Sequence, residues 1–279
     1  MKRNLTDQEI KKIQGIQLEI LMEVHRICTI YRIAYSIDGG TLLGAIRHGG
    51  FIPWDPDVDV IMLREDYERF YKAAQKDMDS SRFFLQEERT DKNYRWGFTK
   101  IRRVGTEFIR EGQEHLKMHT GIFIDVLVMD NVPDRKIERA FYEFFCYCCR
   151  FVMWSEVGKK EEKNHLKRIL YKWANRIPID IVFQQLKEVR EKYNRINTNL
   201  VRYMTCRYTY NKKLHGIKRS YFDHFKEYNF EGETVMGFEE YDSYLTTLYG
   251  NYMELPPIEQ RKSHMPFSKI KLLDNEVIG

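Results

Sequence analysis

An α+β fold is the class this sequence predicts. A long amphipathic helix opens the chain, short apolar runs joined by charged connections continue to about residue 133, and helical patterning dominates beyond it. At 279 residues there is room for one large domain or two small ones of about 150 residues each. With 43% hydrophobic and 31% charged residues, the composition supports a buried core rather than disorder.

The elements follow in order. Thr6 and Glu9 form a capping box ahead of Ile10, Ile13, Ile16, Ile20, Val24 and Ile27 at helical spacing. Ala34 to Ile37 reads as a strand running into a turn at Asp38-Gly39-Gly40, with one or two helical turns over Thr41 to Arg47. Pro53, Trp54, Asp55 and Pro56 exclude a helix, and Asp57 to Met62 alternates like a half-buried strand. A helix over Arg64 to Met78 precedes short strands at Phe83 to Gln86, Gly97 to Ile101 and Glu107 to Arg110. Gly121 to Met129 is a continuous apolar run with one acid, as in a buried strand. Segments 134–156, 160–176 and 179–197 read as helices divided by Gly158 and Pro178, and a last helix covers about Glu239 to Leu248 among short strands. The expected division is a catalytic core over residues 1–133 and a mostly helical portion over 134–279 that completes the substrate cleft.

Several classes of protein are excluded or disfavoured. Ala140 to Trp154, the most apolar stretch, is short for a membrane span and is interrupted by Glu143 and Arg150. The N-terminus has no apolar signal region, so a cytoplasmic location is expected. Five cysteines, three of them at 146, 148 and 149, do not make a disulfide framework. Cys146 and Cys149 spell C-x-x-C without a second ligand pair, and small buried hydrophobes is the better reading. The net charge of +5 suits anionic partners in general, and no nucleic-acid partner is expected.

The chemistry lies in the acids. Residues i and i+2 of a strand share a face, so Asp57 and Asp59 present two carboxylates to one side. Asp125 interrupts the run GIFIDVLVM, where a charge is costly unless paired with a cation or bound to metal. A salt bridge to an arginine and a third metal ligand both satisfy that requirement. Magnesium takes hard oxygen ligands, commonly one or two carboxylates plus substrate phosphates. Glycines at 39 and 40 allow the backbone to approach a phosphate, and Thr41 at a helix start offers a hydroxyl.

The stretch GGTLLGAIRHGGFIPWDPDVDVIMLREDYERF (39–70), together with GIFIDVLVMDNVPD and YDSYLTTLYGNYMELPPIEQRKSH, resembles the LicD family of phosphocholine transferases. That family is related to fukutin and belongs to the nucleotidyltransferase-like superfamily. The resemblance implies a nucleotidyltransferase-like mixed sheet flanked by helices. It also implies nucleotide phosphates at Gly39-Gly40 and a Mg2+ or Mn2+ site at Asp57, Asp59 and Asp125, which would be the catalytic residues. Where the family reads Trp-Asp-Asp-Asp-hydrophobic-Asp, the second acid is Pro56 here, so a carboxylate that in the family would assist the metal or order the loop is absent while Asp57 and Asp59 remain.

Among nearby cations, Arg47 and Lys100 are assigned to the diphosphate in preference to Arg102 and Arg103, while His48 is read as structural. Trp54 and Trp96 are the candidate aromatic faces for a choline headgroup, with Tyr94, Tyr241, Tyr244, Tyr249 and Tyr252 also available. His264 closes the last motif and is expected to contact phosphate or fasten the tail. The expected donor is CDP-choline or another CDP-alcohol such as CDP-ribitol or CDP-glycerol, and the expected acceptor is a glycan or lipid-linked glycan. Two other functions compete. One is a catalytically silent acceptor-binding protein, with the aromatic, basic segment 140–176 lying peripherally on a membrane. The other is a nucleotidylyltransferase that releases pyrophosphate.

Overall fold

A computed structural model describes residues 5–205, 214–261, 266–273 and 276–278. Helix α1 (Asp7–Tyr31) begins at the expected capping box, with Thr6 Oγ1 accepting from the Glu9 amide and the Glu9 carboxylate accepting from the Thr6 amide. Its isoleucine and valine stripe from Ile10 to Ile27 is buried. Then come β1 (Ser36–Ile37), α2 (Gly39–His48), β2 (Asp59–Leu63) and α3 (Arg64–Asp77). Strands β3 (Phe83–Gln86), β4 (Thr99–Arg103), β5 (Glu107–Arg110) and β6 (Phe123–Val132) complete the N-terminal half. Helices α4 (Lys136–Glu161), α5 (His165–Ala174) and α6 (Ile179–Asn194) are followed by β7 (Leu200–Arg202), β8 (Ile217–Lys218) and the hairpin β9 (Phe225–Phe230) and β10 (Glu233–Phe238). Helix α7 (Tyr241–Tyr249), β11 (Phe267–Lys271) and β12 (Val277–Ile278) close the chain.

The fold is α+β. Its central sheet has the order β1-β2-β6-β4-β3, with β2 and β6 parallel and the other pairs antiparallel. The C-terminal half adds strands to both sheets that the N-terminal half begins. β7 pairs with the far end of β6 and carries β8, while β11 lies between β5 and β12. One apolar cluster joins α1, α3 and the sheet, and a second lies between α4 and α6 around Tyr142, Cys146 and Leu186. Among the described residues no helix is long and apolar enough to cross a membrane.

Two local expectations are corrected. Gly39 and Gly40 form the first turn of α2 rather than a separate turn before it, with Gly39 at φ +48°. Gly158 does not end a helix, because α4 continues through it to Glu161. A Cβ on Gly158 would fall 2.5 Å from the ring of Tyr171, so the glycine lets α5 approach closely. The break comes at 162–164, where the Asn164 side chain accepts from the Lys167 amide and caps α5.

Candidate active site

Strand pairing assembles the acids. In the parallel pair of β2 and β6, Asp59 lies opposite Asp125; in the antiparallel pair of β6 and β4, Asp125 lies opposite Lys100. Partners in register share a face of the sheet, so Asp59, Asp125 and Lys100 form a row across three strands. Asp57, just before β2, completes the group. Ligand oxygens of Asp57, Asp59 and Asp125 all lie within 4.8 Å of one another.

Several contacts hold this arrangement. The Asp59 amide donates to Thr41 Oγ1 at 2.9 Å, and its carbonyl accepts from the Asp38 amide at 2.8 Å. The Asp125 amide donates to the Val58 carbonyl at 2.9 Å. Two buried glutamines of α1 grip the proline-rich loop: Gln17 donates to the carbonyls of Pro56 (2.9 Å) and Phe123 (3.1 Å), and Gln14 donates to that of Asp55 (3.2 Å). The loop that carries Asp57 is thereby tied to the start of β6.

The charges at the site are unbalanced. Burial pushes the Asp57 carboxyl up to about 7, reinforced by the negative charges of Asp125 and Asp55. Burial, then Asp57 and Asp125, raise Asp59 well above the usual carboxylate range. Lys100 forms an ion pair with Asp125, and burial, opposed by that carboxylate, brings its ammonium down to about 7. Lys100, with the more distant charge of Arg110 also acting on Asp57, therefore faces three acids. Asp57 Oδ1 is buried without a hydrogen-bond partner. An orphaned oxygen among converging carboxylates fits a hard divalent cation, which would supply the missing positive charge. Cys146 and Cys149 belong to no such cluster of ligand atoms among the described residues, and burial raises both thiols, to about 11 and about 12.

The glycine turn lies beside the acids. A Cβ on Gly40 would come 3.3 Å from Asp55 Oδ2, and one on Gly39 would come 3.2 Å from Tyr249 Oη. Tyr244 donates to Asp38, the residue that precedes α2. Burial raises Asp38 and Asp55 each to about 6, the Tyr244 hydrogen bond opposing the rise at Asp38.

On the other side of Lys100, a cavity of about 470 Å3 opens over β4 and β5 and is walled by α4 and α5. Phe151 and Tyr171 stack in its wall at 4.3 Å, and Trp96 and Trp154 lie 5.4 Å apart. Lys100, Arg102, Arg110, Arg150 and Lys167 also line it, and no carboxylate is among the described lining residues. Lys100 joins the cavity to the acids, with its Nζ 3.3 Å from the centroid of the Phe123 ring.

The remaining candidates are dispersed. Arg47 donates to the carbonyls of Tyr252 (2.7 Å) and Glu254 (3.2 Å), which fastens the C-terminal segment to α2. Trp54 is half-buried, packed edge-to-face with His48 at 6.2 Å and with the Arg261 guanidinium 5.7 Å from its ring; it does not line the cavity. Arg103 pairs with Glu19 of α1. His264 lies outside the described residues. Asp55, Gln14, Gln17, Arg110 and the Asp38–Tyr244 pair were not assigned to the site from the sequence. The alternation Phe98, Lys100, Arg102 along β4 was the available signal for the basic wall.

Residues 32–124 match the nucleotidyltransferase domain of LicD/FKTN/FKRP proteins. The chain is 28% identical over 258 residues to the lipopolysaccharide cholinephosphotransferase LicD of Haemophilus influenzae, covering 91% of this chain and 95% of that protein. An uncharacterized protein of Rickettsia prowazekii is 40% identical over 68 residues, 22% of this chain and 26% of its own length. Ribitol 5-phosphate transferase FKRP of Homo sapiens is 56% identical over 34 residues, 12% of this chain and 7% of that protein.

Proposed function

We propose that this chain, whose residues 32–124 match the LicD/FKTN/FKRP nucleotidyltransferase domain, is a LicD-family metal-dependent transferase that moves phosphocholine from CDP-choline to a hydroxyl of a cell-surface glycan or glycolipid precursor. The observation that carries this reading is the convergence of Asp57 and Asp59, within the matched domain, with Asp125, the residue that follows its last matched position, beside Gly39-Gly40. Similarity to a cholinephosphotransferase along nearly its whole length supports phosphocholine as the transferred group. A cytoplasmic location is part of the proposal.

Asp57, Asp59 and Asp125 would hold a magnesium or manganese ion, which when bound neutralises diphosphate charge and acidifies the acceptor hydroxyl. The residues of the chain do the rest. Gly39 and Gly40 let the backbone approach the diphosphate where a Cβ would crowd Tyr249 or Asp55, and Gly39 takes a positive φ that suits glycine. Thr41 fixes Asp59 through its amide, and Lys100 fixes Asp125. Asp57, whose burial favours a proton, accepts the hydroxyl proton of the acceptor. The acceptor oxygen forms a bond to the choline-bearing phosphorus, the bond from that phosphorus to the bridging oxygen breaks, and CMP leaves. The basic wall of Lys100, Arg102 and Arg110 stabilises the departing phosphate.

A second reading is transfer of ribitol phosphate from CDP-ribitol. It is favoured by the short FKRP match and by a cavity whose described lining offers no acid to a cationic headgroup. Purified protein supplied with Mg2+ or Mn2+, envelope extract and either CDP-choline or CDP-ribitol tests both. Metal-dependent CMP release with labelled choline entering the extract, lost in Asp59→Asn, is the expected result. Label from ribitol alone moves the assignment to the second reading, and pyrophosphate from a nucleoside triphosphate or no product at all refutes both.

A further inference from the structure

Helix α5 and its flanks expose an apolar face at helical spacing. Leu166, Ile169, Leu170, Trp173 and Ile177 are exposed, Leu166 to 73% and Trp173 to 62%. The same stretch, 163–177, contains Lys163, Lys167, Arg168, Lys172 and Arg176 and no aspartate or glutamate. On α4, against which α5 packs, Ile137, Phe141 and Phe144 form a second exposed apolar strip. Scattered exposed leucines need no explanation, but a continuous apolar stripe ringed by cations of one sign does.

We propose that α5 with its flanking residues is a docking element for an anionic lipid bilayer. Ten residues of helix are too short to cross a membrane, so α5 would lie in the interface plane with its stripe among the acyl chains and its lysines and arginines at the headgroups. Charge decides against a second copy of the chain as the occupant. A two-fold contact through this face would set five cations against the same five, with the nearest acids in sequence, Glu161 and Glu162 before the stretch and Asp180 after it, outside the stripe. An acidic headgroup surface supplies what the face lacks.

The element is also continuous with the site. Lys167 and Tyr171 line the cavity from the same helix that carries the exposed stripe. Docking would therefore hold the cavity at the membrane surface, where a lipid-linked acceptor could enter. That consequence rests on the transferase reading, whereas the docking does not.

Cosedimentation of the full chain with vesicles of phosphatidylcholine alone, or enriched in phosphatidylglycerol, tests the proposal. Binding should be confined to the anionic vesicles and weaken with added salt. The double variant Lys172→Glu/Arg176→Glu should lower the partition coefficient roughly tenfold or more. Leu170→Ser/Trp173→Ser should lower it similarly, with circular dichroism and melting temperature unchanged in both. Equal binding to both vesicle types, undiminished binding by both variants, or a concentration-dependent oligomer dissolved by the same variants overturns it. Loss of transfer activity with vesicle binding intact counts against the transferase reading alone.

Discussion

If the three acids form a cation site, they should destabilise the metal-free protein, and removing one should stabilise it. The Asp57 carboxyl rises from an ordinary 3.8 to about 7 on folding. The folded state therefore holds that proton more tightly than the unfolded chain does. Between about pH 4 and pH 7 the native protein binds more protons than the unfolded one, so stability falls as pH rises through that window. Above it the ionised group costs at most about 4 kcal/mol, three pH units at 1.36 kcal/mol each. Asp57→Asn removes that cost. At about 2 °C per kcal/mol for a chain of this size, its metal-free melting temperature at pH 8 should exceed that of the parent by up to about 8 °C. Near pH 3, below both values, Asp57 is mostly protonated in the folded and the unfolded state, and the gain should vanish. Adding Mg2+ or Mn2+ should raise the melting temperature of the parent at pH 8, more than at pH 5, and leave the variant unmoved. Differential scanning fluorimetry across pH, with and without metal, measures all of this. A variant that melts below the parent at pH 8, or that gains as much from metal, would refute the link between these carboxylates and a cation.

Two more outcomes follow from the same contacts. Lys100→Met leaves Asp125 buried without its cation and should cost about 3–5 kcal/mol in urea unfolding without metal. Adding Asp125→Asn should recover most of that loss, and additive losses would mean that the pair is not coupled. Gln17→Ala removes the hydrogen bonds to Pro56 and Phe123, so it should cost about 1–3 kcal/mol and weaken Mn2+ binding measured by calorimetry. Unchanged affinity would show that the loop holds Asp57 in place without its clamp.

Local periodicity made much of this molecule legible. The capping box at Thr6 marks the start of α1 and the stripe from Ile10 to Ile27 its buried face, though the helix runs on to Tyr31, and the i, i+2 spacing is enough to place Asp57 and Asp59 on one side. Strand register is not written locally. That Asp125 is opposite both Asp59 and Lys100 depends on β6 lying between β2 and β4, a long-range choice that no window of sequence contains. The cavity was hidden for the same reason, since its walls come from residues 96–123 and 147–171 brought together across helix packing. Gln14 and Gln17 read as polar positions on an amphipathic helix, yet both are buried against backbone carbonyls. Gly158 misled because a glycine that ends a helix and one that admits a neighbouring ring are identical in sequence.

Pro56 is where family pattern and local structure must be weighed against each other. Replacing an acid by proline removes one carboxylate from the loop, which alone would lower the attraction for a cation. The structure shows a different use of the position. Pro56 is buried, its carbonyl is held by Gln17, and its fixed backbone stiffens the segment between Asp55 and Asp57. Asp55 remains beside Gly40, close enough to raise both Asp57 and Asp59. The site thus keeps a fourth negative charge outside the converging three, and spends less conformational entropy to hold Asp57 in place. A ligand group fixed in advance loses less freedom on binding, so for a metal held by Asp57 the rigidity at Pro56 would oppose the loss of charge there.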